Sequence, residues 1–174
     1  MEFTKLIEAR RSVRGYGAGV SREDLETILT RAQQAPSWKN WQASRCYAVL
    51  GEEALERARR ALPSFNQSSS ENAALVVTTF VRDTVGFTQG QPDNEAGNGW
   101  GADDLGLHDA YLVLAAADLG YDTLIMGLRD ADALREALGI PEGEQVMSVI
   151  AVGKGSKAPV NKPRKPLGEV ARFF

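Results

Sequence analysis

The sequence has very little cysteine and histidine, and it has no long apolar run. Cys46 is the only cysteine and His108 the only histidine among 174 residues. One cysteine excludes an intramolecular disulfide and a zinc site of several thiolates, and it favours a reducing compartment, so the sequence predicts a cytoplasmic protein. No apolar run approaches the roughly 18 residues that a membrane-spanning helix needs, and the segment MEFTKLIEAR lacks the apolar centre of a signal peptide. We therefore expect no membrane partner.

The sequence also has no excess of basic over acidic residues. The chain has 20 Lys and Arg against 23 Asp and Glu, for a formal net charge of −3. Because a dedicated nucleic-acid-binding surface is normally strongly basic, we expect no nucleic-acid partner. The composition, 43% hydrophobic and 25% charged, is that of a globular protein. The length predicts a single domain over residues 1–174.

Hydrophobic periodicity predicts helices that alternate with strands. Ser21 and Asp24 have the spacing of a capping box, and a helical stripe of Leu25, Ile28 and Leu29 follows. Further helices are predicted over FTKLIEARRS, over 53–62, from Asp103 or Asp104 onward, and over DADALREALG with its stop at Gly139; strands are predicted over 46–50, 74–81, YDTLIMG and QVMSVIAVG. This order predicts a layered α+β or α/β protein without determining the sheet topology.

One segment has no periodicity. Residues 86–101 are rich in Gly, Asn and Gln and end near Trp100. A loop of this length inside a compact domain is usually functional or mobile, so we expect a lid over a binding site.

Several familiar motifs fail on inspection. GYGAG (15–19) follows no predicted strand and misplaces the third glycine of a dinucleotide-binding loop, and GKGSK (153–157) lacks the spacing of a P-loop. Helical spacing offers His108 no nucleophile, so we interpret it as a packed or interface histidine. Asp103 and Asp104 are interpreted as acids at a helix N-terminus. Hydrolytic chemistry therefore has poor support.

The strongest local signal is cationic. Arg10, Arg11 and Arg14 lie within five residues beside Ser12, and the segment NKPRKP near the other end carries Lys162, Arg164 and Lys165. Arginine forks and hydroxyl groups suit a phosphate dianion. Solvated charges at a helix end are the other interpretation of such a run, and the residues alone leave both open.

Six segments, in order, resemble the FMN-dependent nitroreductase family: RRSVR (10–14), APSWKNWQ (35–42), FN (65–66), GWGADDLG, LGYDTLIMG (119–127) and NKPRKP followed by EV. The resemblance spans practically the whole chain. It implies a three-layer α+β fold, with a central, mostly antiparallel sheet flanked by helices. It also implies an intertwined homodimer with FMN at the subunit interface, in which the tail 158–174 extends onto the partner subunit.

The resemblance assigns roles to particular residues. The FMN phosphate and ribityl chain would be held by Arg10, Arg11, Ser12, Lys162 and Arg164, and Arg14 would lie beside the pyrimidine edge of the ring. Contacts to the ring are implied for Ser37, Asn40, Gln42, Asn66, Met126 and Gly127, and the substrate pocket for Trp38 and Trp100. Two positions depart from the family pattern, because many relatives have a lysine at Ser69 and an acid at Met126.

The implied function is an FMN-dependent NAD(P)H oxidoreductase. Hydride would pass from NADH or NADPH through FMN to a quinone, nitroaromatic or similar flat acceptor by a ping-pong mechanism, with no metal and no catalytic side chain. Two alternatives stay open. One is a flavin-binding module that stores, delivers or consumes FMN, and the other is a small polyanion binder.

Overall fold

The structure is a computed structural model that describes residues 2–160 and 162–174. The helices are α1 (Phe3–Ala9), α2 (Arg22–Ala32), α3 (Glu52–Arg60), α4 (Ser64–Ser69), α5 (Gly99–Asp118), α6 (Ala131–Leu138) and α7 (Leu167–Val170). The strands are β1 (Tyr16–Gly19), β2 (Ser44–Val49), β3 (Ala74–Val81), β4 (Phe87–Thr88), β5 (Gln91–Pro92), β6 (Asp122–Met126) and β7 (Glu144–Gly155), and Trp38–Asn40 form one 3₁₀ turn.

Strand β7 is the centre of the main sheet. It pairs antiparallel with β3 and with β6 over the same stretch, 149–152, so these two neighbours must lie on opposite sides of it. Strand β2 pairs antiparallel with β3, and β1 pairs with the last residues of β7. The order β2–β3–β7–β6 therefore places β2 and β6 at opposite edges of the sheet.

Helices cover both faces of this sheet. Along β3, Ala74 and Val76 pack on one face and Leu75 and Val77 on the other, as the two-residue period of a strand requires. The first face packs against α2 and α5 through Leu25, Ile28, Leu112 and Ala116, and the second against α3 and α6 through Ala58, Leu62 and Leu134. Both faces of β3 are buried, and the strand is apolar except for Thr78 and Thr79. The predicted three-layer α+β fold is confirmed.

Local signals in the sequence correspond to real caps and ends. The Ser21 side chain accepts a hydrogen bond from the Asp24 amide at 3.1 Å, as the capping-box spacing predicts. Gly139 ends α6 in the left-handed conformation with φ +66°, which favours glycine. The strand predicted over 74–81 matches β3 residue for residue.

The predicted start of α5 is wrong. The helix begins at Gly99, before the predicted Asp103 or Asp104, so Trp100 lies in its first turn and the irregular segment ends at Asn98. Glycines disfavour helix locally, but packing requires one here: a Cβ on Gly101 would lie 2.5 Å from Cδ2 of Phe80. At 20 residues α5 is the longest helix within 2–160 and 162–174, and none in these ranges is long and apolar enough to cross a bilayer.

Several short elements were not predicted. Tyr16–Gly19 form β1, which is held by β7 and by a hydrogen bond from Asn72 Nδ2 to the Tyr16 carbonyl at 3.2 Å. Helix α4 has only six residues and no apolar periodicity. Strands β4 and β5 pair with each other inside the segment 86–101, and α7 lies in the tail. The contacts that hold β1 are long-range, and a local pattern does not report them.

The described residues of the tail, 158–160 and 162–174, are largely exposed. Val170, Phe173 and Phe174 are 67%, 87% and 117% exposed, although apolar side chains at a chain end are expected to lie on a surface. Asn161, the first residue of the NKPRKP segment, lies outside the described residues.

Candidate functional site

Cations from the two ends of the chain meet in space. Arg10 follows α1 directly, and the pKa of its guanidinium is lowered, first by burial and then by the positive charges of Arg164 and Arg11. Arg164 is 154 positions away in sequence, so its effect on Arg10 shows that the tail returns to the N-terminal segment. Lys162, two residues before Arg164, is exposed. We call Arg10, Arg11 and Arg164 the cation cluster.

The backbone after the cluster is held in place at two points. Ser12 forms a bridge with Thr123, and the Val13 amide donates to the Thr123 carbonyl at 3.0 Å, on the edge of β6 that β7 leaves open. Three residues after Ser12, the Gly15 amide donates to the Ser69 carbonyl at 2.9 Å. Arg14 lies between these anchors and is exposed, so its position is determined by the backbone on both sides.

Asn66 ties α4 to the segment after β6. Its side chain is buried and donates from Nδ2 to the Leu128 carbonyl at 3.1 Å. Met126 turns its side chain into the core, so only its backbone is available to a ligand. Gly127 is exposed, and a Cβ built there would meet nothing within 4 Å, so packing within this chain does not require glycine at that position.

The predicted ring loop, Ser37 to Gln42, forms a second group. Lys39, Asn40 and Gln42 have φ of 50°, 57° and 49°, a left-handed conformation that is uncommon for residues other than glycine. Two side chains hold this conformation. Both Asp104 oxygens accept from the Trp38 amide, at 3.0 and 3.1 Å, and Ser37 Oγ accepts from the Gln42 amide at 3.1 Å.

Asp104 and two tryptophans connect this loop to α5. The Asp104 carboxyl is buried, which raises its pKa, although the Trp38 amide partly offsets the effect. The Trp38 and Trp100 rings pack edge to face with centroids 4.4 Å apart, and Trp100 Nε1 donates to Asn94 Oδ1 at 2.8 Å. The anchoring role of Asp104 was not predicted, since the sequence indicated only a helix-terminal acid.

The two groups of predicted site residues lie at opposite edges of the sheet. Arg10 to Arg14, Asn66, Met126 and Gly127 gather around the β6 edge, whereas Ser37 to Gln42 lead directly into β2. Three strand spacings, together about 14 Å, separate β2 from β6. Within one chain, the predicted site residues therefore lie in two separate places.

A further residue that the sequence missed is Cys46. Its Sγ lies 3.9 Å from Nε2 of His108. Helical spacing could not detect the pair, because Cys46 comes from β2 and His108 from α5. The His108 side chain is packed, at 9% exposure.

Within the ranges 2–160 and 162–174, no three His, Cys, Asp or Glu side chains converge as a metal site would need.

Comparison with known proteins gives a consistent result. A sequence profile of the nitroreductase family matches residues 7–85 and 87–154. The chain is 32% identical, over 87% of its length and 84% of the relative's, to an Archaeoglobus fulgidus protein named as a candidate NADH dehydrogenase or NAD(P)H nitroreductase. It is 25% identical, over 99% of both chains, to MhqN of Bacillus subtilis, named as a candidate NAD(P)H nitroreductase.

A solved structure shows the same fold. It is described as an oxidoreductase containing FMN and superposes with a TM-score of 0.82 at 28% identity, covering 97% of this chain and 91% of that one. The similarity extends over the whole three-layer arrangement.

Proposed function

The chain belongs to the nitroreductase family, and we propose on this basis that it is an FMN-dependent oxidoreductase. It would take hydride from NADH or NADPH and pass it to a flat organic acceptor, such as a quinone or nitroaromatic compound, by a ping-pong mechanism. One observation carries the proposal: Arg164 lies close enough to Arg10 to lower the pKa of its guanidinium. Like charges gathered in this way are stabilised by an anion between them, and a phosphate monoester suits them.

The residues present fit FMN. The cation cluster and the Ser12 hydroxyl would hold the phosphate, with Lys162 reaching it from the tail. Arg14, fixed between the anchored Ser12 and Gly15, would place positive charge beside the pyrimidine edge, where it favours the reduced ring. Gly127 leaves room for close approach, and Asn66 would hold the polar edge. FMN, when bound, supplies the ring that accepts and then donates hydride.

The Ser69 and Met126 departures affect this arrangement differently. The Ser69 carbonyl is already bonded to the Gly15 amide, so this residue contributes to the positioning of Arg14 through its backbone. A serine hydroxyl carries no charge, so Arg14 becomes the main cation proposed for the ring. The buried Met126 side chain serves the core rather than the ligand.

We also propose that the active form is a homodimer. Ser37, Asn40 and Gln42 lie across the sheet from the Arg14 region, so they would reach the ring bound by a partner subunit rather than their own. Leu107 and Tyr111, one turn apart on α5, are 39% and 42% exposed. This face and the exposed tail 158–174 supply apolar surface for such an interface. Trp38, Trp100 and the irregular segment 86–98 would then border the acceptor pocket.

The test is spectroscopic. The purified protein is expected to be yellow, and NADH or NADPH added without oxygen should bleach the flavin absorption, with a quinone restoring it. A yellow protein that neither donor bleaches would replace the enzyme with a module that stores, delivers or consumes FMN. A colourless protein that takes up no added FMN would contradict the cofactor assignment.

The single cysteine supports a cytoplasmic setting for this activity.

A further inference from the structure

A thiol, an imidazole and a carboxylate lie in line beside the ring loop, on the far side of the sheet from the cation cluster. Cys46 Sγ is 3.9 Å from His108 Nε2, and His108 Nδ1 is 3.4 Å from Asp109 Oδ1. The second oxygen of Asp109, Oδ2, accepts a hydrogen bond from Thr78 Oγ1 at 3.1 Å, and Ser148 Oγ lies 3.5 Å from it. This is the order of nucleophile, base and orienting group found in nucleophilic catalysis.

Asp109 determines which nitrogen of His108 can take a proton. Its carboxylate faces Nδ1, and a carboxylate only accepts, so the network assigns the imidazole hydrogen to Nδ1. Nε2 is then the unprotonated nitrogen, and Nε2 faces Cys46. Thr78 and Ser148 are also bonded to each other, at 2.9 Å, and hold the carboxylate in this orientation.

A cavity of about 370 Å³ opens onto the group. Cys46 and His108 line it together with Leu29, Arg45 and Asp104, as do Ser37 and Gln42 of the ring loop. Its volume suits a small organic molecule. It lies at the β2 edge of the sheet, whereas the cation cluster lies beyond the β6 edge, so it is separate from the proposed phosphate site.

The thiol in this cavity is protonated at neutral pH. Burial, with a contribution from the Asp109 charge, raises the pKa of Cys46 to about 12. A reaction at sulfur therefore requires removal of the proton as the new bond forms, which is the task of a general base. His108 Nε2 is placed for this task. The charged groups around it are Asp104 and Asp109 from α5 and Arg45 from β2.

We propose that Cys46 is a covalent binding site for small α,β-unsaturated carbonyl compounds, with His108 as its general base. The S–H proton passes to His108 Nε2 while sulfur bonds to the β-carbon. The π pair of the C=C bond shifts to form the C=C bond of an enolate, and the carbonyl pair moves to oxygen. The proton then returns from Nε2 to the enolate. The product is a thioether that contains all atoms of both reactants, so no oxidant, reductant or leaving group is needed.

Acyl transfer, the other common chemistry of such a triad, fits less well. It requires N–H donors for the oxyanion of a tetrahedral intermediate. In the neighbouring loop, the amides of Trp38 and Gln42 already donate to Asp104 and to Ser37 Oγ, and those of Asn40 and Trp41 donate to backbone carbonyls. Conjugate addition has its proton donor in His108 itself.

The first test is the rate at which N-ethylmaleimide labels the folded protein, followed by intact mass, with Cys46→Ser as the blank. A rate that depends on proton removal by a neutral imidazole levels off well below the pKa of the thiol. A plain buried thiol would instead keep gaining rate towards pH 12, where its pKa lies. The levelled profile is expected. A continuous rise, or no labelling of the folded protein, would overturn the proposal.

Two variants test whether His108 is the general base and whether the cavity is the route by which the reagent reaches Cys46. His108→Gln should slow labelling at pH 7.5 at least tenfold. Leu29→Trp, which adds bulk at a residue that lines the cavity, should slow it by a similar factor. Both are compared at equal thermal stability and equal bound FMN. An unchanged rate in folded His108→Gln would overturn the role of the imidazole. Should that variant not fold, the wild-type pH profile decides.

Discussion

At the scale of single residues, the cation cluster has the clearest physical requirement. Arg10 is partly buried and carries the same charge as Arg11 and Arg164 beside it. Burial and repulsion both disfavour its charged form, as the lowered pKa shows. Holding these like charges together costs free energy in the isolated chain, and an anion that binds between them offsets this cost. We therefore expect these positions to serve binding rather than stability.

Arg10→Ala should therefore weaken FMN binding without destabilising the apoprotein. Loss of a charge-assisted contact worth about 1.5 to 3 kcal/mol raises the dissociation constant about 10- to 100-fold. Fluorescence titration of the apoprotein with FMN measures the effect. The matched control is Arg57→Ala, since Arg57 pairs with Glu53 on the surface of α3. Equal affinity in the two variants would remove the phosphate role of Arg10.

The element scale is best illustrated by α5. One side of it packs on β3 so closely that Gly101 lies against the Phe80 ring, and Asp104, one turn later, holds the strained ring loop. Leu107 and Tyr111 follow Asp104 by three and seven residues, so they lie on the same side of the helix as Asp104, and both are partly exposed. The helix therefore joins the sheet, the ring loop and the proposed interface, and its first turns have to be placed accurately for all three.

Gly101→Ala should lower the free energy of unfolding by about 1 to 3 kcal/mol, because the added methyl group overpacks against a buried ring. Urea denaturation measures it. Gly99→Ala on the same helix is the control: its Cβ would make only an ordinary 3.7 Å contact with Ala96, so it should be neutral or stabilise by up to about 1 kcal/mol. A loss of stability in Gly99→Ala as large as in Gly101→Ala would contradict the packing argument.

For the whole molecule, the central fact is that the predicted site is divided between two edges of one sheet. Arg14 and Gly127 belong to the β6 edge, and Ser37 and Asn40 to the β2 edge. A second copy of the chain would bring the missing part to each ring. It would also cover Leu107 and the exposed tail.

Leu107→Glu should accordingly shift the protein from dimer to monomer and reduce its FMN content at the same time. A carboxylate in an apolar interface is costly to bury. Sedimentation velocity and the flavin-to-protein absorbance ratio measure both effects. Gln34→Glu adds the same charge at an exposed position just beyond α2 and should change neither. A wild-type protein that is monomeric with full FMN would exclude the shared site.

Much of this molecule could be predicted from local sequence. The apolar run Ala74–Val81, the Ser21 cap and the Gly139 stop each encode their structure within a few neighbouring residues, and all three are confirmed. The family resemblance, carried by ordered motifs such as RRSVR and FN, is confirmed as well. The roles assigned to individual site residues stay predictions.

The sequence by itself determined the layers, most of the helices and strands, and the supply of cations at both ends. Only the tertiary structure decided that Arg164 reaches Arg10, that Ser37 and Arg14 lie on opposite edges, and that Cys46 meets His108. The physical reason is the distance along the chain over which each sequence signal acts. Periodicity, caps and turns act over a few residues, whereas these three relations depend on how the strands are ordered and on how the chain ends return, which no local pattern reports.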